Sequence, residues 1–171
     1  AKPFTWLLVN LGTAVLASMV IGMFDATIKE MVALAVLMPI VASMGGNAGT
    51  QTLTITVRAL ATKELTAYNA LRTFRKELAV GFLNGCLFAA LAGVLTFFWF
   101  NELPNANVLG GVIAGAMVIN MVVAGFSGVA LPVLLNRLKI DPAIASGVFV
   151  TTVTDVVGFL SFLGLASVTL L

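Results

Sequence analysis

The chain has 171 residues, of which 60% are hydrophobic and 9% charged, with a formal net charge of +2 and a mean hydropathy of +1.11. Such a composition leaves almost nothing for a soluble domain and describes a polytopic membrane protein, with no covalent chemistry and no nucleic-acid partner implied. With no histidine and the single cysteine Cys86, imidazole or thiolate metal sites and an internal disulfide are excluded, so any metal chemistry must use oxygen.

Five apolar stretches meet the requirement of about 20 residues for a span, and their long continuous runs with Gly and Pro argue for helices rather than the short alternating strands of a barrel. The first, 4–24, follows Ala1-Lys2-Pro3 without an initiator Met or a signal-peptide cleavage pattern, so the chain reads as a fragment or a trimmed form. Its Asn10, Thr13 and Ser18 can bond to the preceding turn. Residues 25–30 read as a short outer turn.

The second stretch, 31–60, would be about 45 Å long as a helix against a hydrocarbon core of about 30 Å. Pro39 and the run Gly45-Gly46-Asn47-Ala48-Gly49-Thr50-Gln51 predict a break at Gly45-Gly46. Two readings of that run stand open. Interrupted backbone at membrane depth can line a water-filled cavity, where freed carbonyls and Asn47, Thr50 and Gln51 would act as neutral oxygen ligands; alternatively, the small residues let another helix approach.

Residues 58–76 form a basic inner loop, in which 68–77 is expected as a short amphipathic interfacial helix, with Glu77 pairing to Arg58, Arg72 or Arg75. In the third span, 78–100, Gly81 and Gly85 have the spacing of a close helix contact, with Asn84 bonding across it and Cys86 as a small filler. The fourth, 108–135, is rich in Gly and Ala, carries Asn120 and Ser127 as its polar members, and reads as a tightly packed helix ahead of a pore-lining one, with Pro132 as a kink site. Asp141-Pro142 then supplies an acidic N-cap and an N1 proline for the last helix, 143–171.

Basic residues orient these spans. Eight of the nine, all but Lys29, fall on one side, which the positive-inside rule makes cytoplasmic, with the N-terminus inside and the C-terminus outside.

The last span holds Asp155, with no Lys or Arg at comparable depth in any span. An ionised group there costs from about 3 to well over 10 kcal/mol, so it should face protein or water, and a transported cation is the natural partner. Gly147, Thr151, Asp155 and Gly158 share one helical face, with Thr154 beside them. A single carboxylate is a thin site, but two copies meeting on a two-fold axis would present two, and a divalent cation between them would hold both ionised. Mg²⁺, held by one or two carboxylates with several waters retained, suits such a lining; ligand type ranks it above Zn²⁺ or Cu²⁺ but separates it from Mn²⁺, Co²⁺ or Ca²⁺ only weakly. From the residues alone, cation conduction, proton- or sodium-coupled transport of divalent cations such as Co²⁺, Mn²⁺ or Ni²⁺, and a structural carboxylate bonded to Thr151, Thr152 or the second helix all remain open.

The series Pro39…Gly45-Gly46-Asn47-Ala-Gly49-Thr-Gln51, Arg58-Ala-Leu-Ala, Lys76-Glu77…Gly81, Leu131-Pro132, Asp141-Pro142-Ala143 and Thr154-Asp155-Val-Val-Gly158 resembles the membrane domain of the MgtE family of magnesium channels, in order and over nearly the whole chain. The resemblance implies an all-α homodimer of five-helix protomers in a cell membrane. It places the pore at the two-fold axis, lined by the second and fifth helices, and Asp155 facing a hydrated Mg²⁺. It also implies that Asn47 and the Gly45-Gly46 turn form the pore-side break, that Thr151 stands one turn from the aspartate at a position whose backbone helps hold the ion's water shell, and that Asp141 belongs to a cytoplasmic Mg²⁺ contact; Gly147, on the Asp155 face, is counted with these metal-site residues. Where the family commonly has Asn-Pro after Ser, this chain has Ser146-Gly147-Val148, so one polar pore side chain is absent. Residues 1–171 are expected to be one transmembrane channel domain, without the cytoplasmic N-terminal and CBS regulatory domains usual in the family.

Overall fold

A computed structural model describes residues 2–66 and 68–170. Ala1, Ala67 and Leu171, the last of which closes the expected fifth span, lie outside the described residues, as do the side chains of Lys2 and Pro3. The elements run α1 (Lys2–Gly22), α2 (Asp25–Glu30), α3 (Ala33–Ala61), α4 (Ala70–Trp99), α5 (Ala106–Arg137) and α6 (Pro142–Thr169). All but α2 are long and apolar enough to cross a membrane.

Helix α5 is the centre of the bundle and packs against α3, α4 and α6, whereas α1 rests on α6. Lipid tails give no hydrophobic drive between helices, so close packing of small residues holds such a bundle together. The buried stripe of α4 is accordingly Gly81, Gly85, Ala89, Ala92 and Thr96, at spacings of four, four, three and four. Gly81 and Gly85 face α5 as expected: a Cβ on Gly81 would stand 2.8 Å from the Met121 carbonyl oxygen. Trp6 meets Phe149 edge-on at 6.5 Å, which sets the start of α1 beside the start of α6.

Three expectations are corrected. The second membrane helix, α3, is not broken at Gly45-Gly46 but runs unbroken for 29 residues through both glycines and Pro39, and no glycine has positive φ among the described residues. The physical reason is packing: Gly45 and Gly49 are buried against α5 and α6, and their missing side chains admit Asn120 and Val150. The backbone stays helical through both glycines, and α3 ends at Ala61, three residues past Arg58. Second, residues 70–77 do not form a separate interfacial helix but open α4 itself, while 25–30 form a short helix instead of a turn. Third, Glu77 pairs with none of Arg58, Arg72 or Arg75; the ion pair found among the described residues is Lys29 with Asp25, at 2.5 Å.

The chain leaves α5 through Lys139 at φ 58°, with the Ile140 amide donating to the Leu135 carbonyl at 3.0 Å. That left-handed position costs a non-glycine residue about 1–2 kcal/mol. Lys139→Gly is expected to raise stability by about 1 kcal/mol, seen as a higher thermal unfolding midpoint of the purified chain.

Candidate functional site

Along α3, Ser43, Asn47, Gln51, Thr54 and Arg58 recur every three or four residues and are all exposed. They form one polar stripe along a membrane-length helix, opposite the buried face of Val41, Gly45, Gly49, Thr52 and Thr56. Asn47 Nδ2 donates to Ser43 Oγ at 3.5 Å, and the Thr54 hydroxyl donates to the Thr50 carbonyl at 2.8 Å.

Helix α6 crosses α3 where both are smallest. A Cβ on Gly46 would lie 3.9 Å from Thr154 Oγ1, and one on Gly49 would lie 2.6 Å from Val150 Cγ1. Asn47 and Asp155 each follow one residue after the Gly46 and Thr154 pair, so the crossing carries both near one level of the bundle. Asp155 is half-buried, and among the described residues it makes no hydrogen bond or ion pair. The hydroxyls that could satisfy it are turned to their own helix: Thr151 donates to Gly147 at 3.0 Å, Thr152 to Val148 at 2.6 Å, and Thr154 to Thr151 at 3.0 Å. The structural-carboxylate reading has no partner in this arrangement.

The other expected site residues are distributed. Thr151 and Gly147 line an open crevice of about 590 Å³ between α1, α3 and α6, together with Thr50, Asn10 and Trp6. Gly46 is partly exposed at the α3–α6 crossing, whereas Gly45 is turned inward onto Asn120. Asp141 caps α6, its Oδ1 accepting from the Ala143 amide at 2.9 Å. At 1.5 Å per residue it stands about 21 Å along the helix from Asp155.

Sequence reasoning overlooked two features. Ser43 and Thr54 extend the polar stripe, and their spacing from Asn47 and Gln51 was the available signal. Asn120, read as a polar member of a helix in which core packing outweighs pore lining, is fully buried, with Nδ2 donating to the Val41 carbonyl at 2.9 Å and Oδ1 without a donor among the described residues. Leaving such an acceptor unpaired costs about 1–3 kcal/mol. Glu77 accepts from the Thr52 hydroxyl at 3.4 Å and, among the described residues, forms no ion pair with the basic loop residues expected to pair with it. No group of three or more His, Cys, Asp or Glu able to share a metal ion occurs among the described residues.

Five membrane-length helices around a small-residue crossing, with an unpaired carboxylate and a polar stripe at its edge, define a multi-pass helical membrane protein with a polar seam. The chain belongs to the MgtE family, described as a divalent cation transporter, whose profile matches residues 38–165. It is similar to proteins named magnesium transporter MgtE from Bacillus subtilis (33% identical, 95% of this chain and 35% of the relative) and Enterococcus faecalis (32%, 98% and 36%). A third, from Thermus thermophilus, is 34% identical over 94% of this chain and 35% of its own length. The chain thus spans about a third of the length of the curated relatives it matches.

Proposed function

We propose that two copies of this chain form a Mg²⁺-conducting pathway across the cell membrane, with Asp155 of each copy facing a hydrated ion at the two-fold axis. The observation that carries this reading is the polar stripe of α3, exposed on a membrane-length helix beside the Gly46–Thr154 crossing, next to which in sequence lies half-buried Asp155, without a hydrogen bond or ion pair among the described residues. Polar side chains facing hydrocarbon are costly, so the stripe calls for water or a second protein surface. A two-fold axis along α3 and α6 supplies both, because it pairs the stripes and brings two carboxylates to one seam.

Asn47, Thr151, Gly46 and Gly147 would contact the ion's water shell, and Gly45 would act by packing. Asp141, at the other end of α6, would belong to a separate contact near the inner face. Oxygen ligands and few carboxylates favour Mg²⁺ with its waters retained. The relatives' printed names, magnesium transporters, support the same cargo. The basic residues from Arg58 to Lys76 and at Arg137 and Lys139 lie at one end of the bundle, which we place in the cytoplasm together with the N-terminus. Residues 1–171 would be the membrane-embedded conducting unit, on which the family's N-terminal and CBS domains act in longer members.

The test is Mg²⁺ uptake into liposomes carrying the purified chain, driven by an imposed membrane potential. Uptake that persists with proton and sodium gradients collapsed supports a channel. Flux that disappears with either gradient at fixed potential identifies a coupled carrier instead, and Co²⁺, Mn²⁺ and Ni²⁺ run in parallel report the preferred ion.

A further inference from the structure

Asn120 lies near the middle of α5 with 0% of its surface exposed. Its amide stands in a slot walled by a glycine on each side, one from α3 and one from α6. A Cβ on Gly45 would fall 2.6 Å from Asn120 Cγ, and a Cβ on Gly158 would fall 2.7 Å from its Nδ2. One amide thus fills the space of two absent side chains on two different helices while its Nδ2 holds the Val41 carbonyl at 2.9 Å.

Packing alone does not account for an amide here. Leucine branches at the same carbon, would occupy the same slot, and would leave no buried acceptor without a donor, as Asn120 Oδ1 is. What leucine lacks is a donor for Val41. A carbonyl on α3 meets that donor at only one height, so the bond fixes how far α3 sits along α5, and the fit against Gly158 fixes α6 against both. Buried polar groups are best attested in this register-setting use. The slot is also close in sequence to the seam: Gly45 is two residues before Asn47, and Gly158 is three residues after Asp155.

We propose that Asn120 is a positioning residue of the ion pathway, which sets the register of α3 against α6 and so the relative placement of Asn47 and Asp155. The inference rests on the pathway reading above and adds a residue that touches no ion.

Two measurements test it. The first is a thermal unfolding cycle on the purified chain, independent of transport. Gly45→Ala is expected to lower the midpoint when Asn120 is present and to cost little in an Asn120→Ala background, because the atoms closest to the added methyl all belong to that amide. An equal cost in both backgrounds would overturn the slot. The second is Mg²⁺ uptake by Asn120→Leu in liposomes. We expect the half-saturating Mg²⁺ concentration to rise about tenfold, the scale on which groups that orient metal ligands act, with the protein folded. Asn120→Ala is measured in the same way if the leucine variant does not fold. A native half-saturation with only the maximal rate reduced would make Asn120 a structural residue and overturn the positioning role. No flux from the unmodified chain would overturn the pathway reading and the role with it, while the thermal cycle still reports on the slot.

Discussion

Asp155→Ala is expected to reduce Mg²⁺ uptake by liposomes carrying this chain to the level of protein-free vesicles, without loss of the folded protein. The carboxylate is the one acidic group within the apolar part of α6, and the neighbouring hydroxyls of Thr151, Thr152 and Thr154 donate to carbonyls of their own helix rather than to it. Nothing else on the α3–α6 seam can replace its charge, because the stripe from Ser43 to Thr54 offers only neutral oxygens and amides. Stability should respond in the opposite sense from flux. A charge at membrane depth costs about 3 kcal/mol or more even on the mildest scale, so the alanine variant should unfold at the same temperature or higher. A structural carboxylate would behave the other way, with a lower midpoint and flux that falls only as folded protein is lost. Asp155→Asn keeps the volume and removes the charge, and should abolish uptake as the alanine variant does. Native uptake in either variant would remove Asp155 from the pathway.

Gly125→Ala is expected to destabilise the chain by about 1–3 kcal/mol, the usual cost of overpacking a tight contact. Helices α4 and α5 touch through glycines on both sides. A Cβ on Gly125 would lie 2.7 Å from the Glu77 carbonyl oxygen, as one on Gly81 would lie 2.8 Å from that of Met121. Each neighbour is backbone, which cannot rotate away, so relief requires the two helices to separate and gives up contact along the whole row from Gly81 to Thr96. Gly111→Ala is the internal control. It lies in the same helix with nothing within 4 Å of its added methyl, and should gain about 0.5–1 kcal/mol from reduced backbone freedom. Thermal unfolding of both variants in one detergent checks the pair. Equal midpoints would mean that the α4–α5 contact is looser than its geometry indicates.

The spans were legible because their signal is local. Length and hydropathy placed the first, second, fourth and fifth helices within two residues at each described end, since a membrane-length apolar run has few alternatives. Only the third was misjudged: 70–77 carries Arg72, Arg75 and Lys76, which reads as interfacial surface, yet the helix simply continues through it. Caps were equally local, as the Asp141 bond to the Ala143 amide illustrates. The glycine run of α3 was not legible in the same way. Gly45, Gly46 and Gly49 satisfy the pattern of a break and the pattern of a close crossing equally well, and the difference lies in Asn120 and Val150, distant in sequence.

Composition and pattern by themselves determined that this chain is a five-span helical membrane protein, and the carboxylate set deep in an apolar run marked the last span as a place for the site. Which side chains share a face of one helix follows from 3.6 residues per turn, so that much needs no partner. The tertiary structure decided that α3 stays whole, that α5 occupies the centre, and that a buried amide sits between Gly45 and Gly158. Those outcomes depend on which helix lies against which, and small residues permit close approach without naming the neighbour.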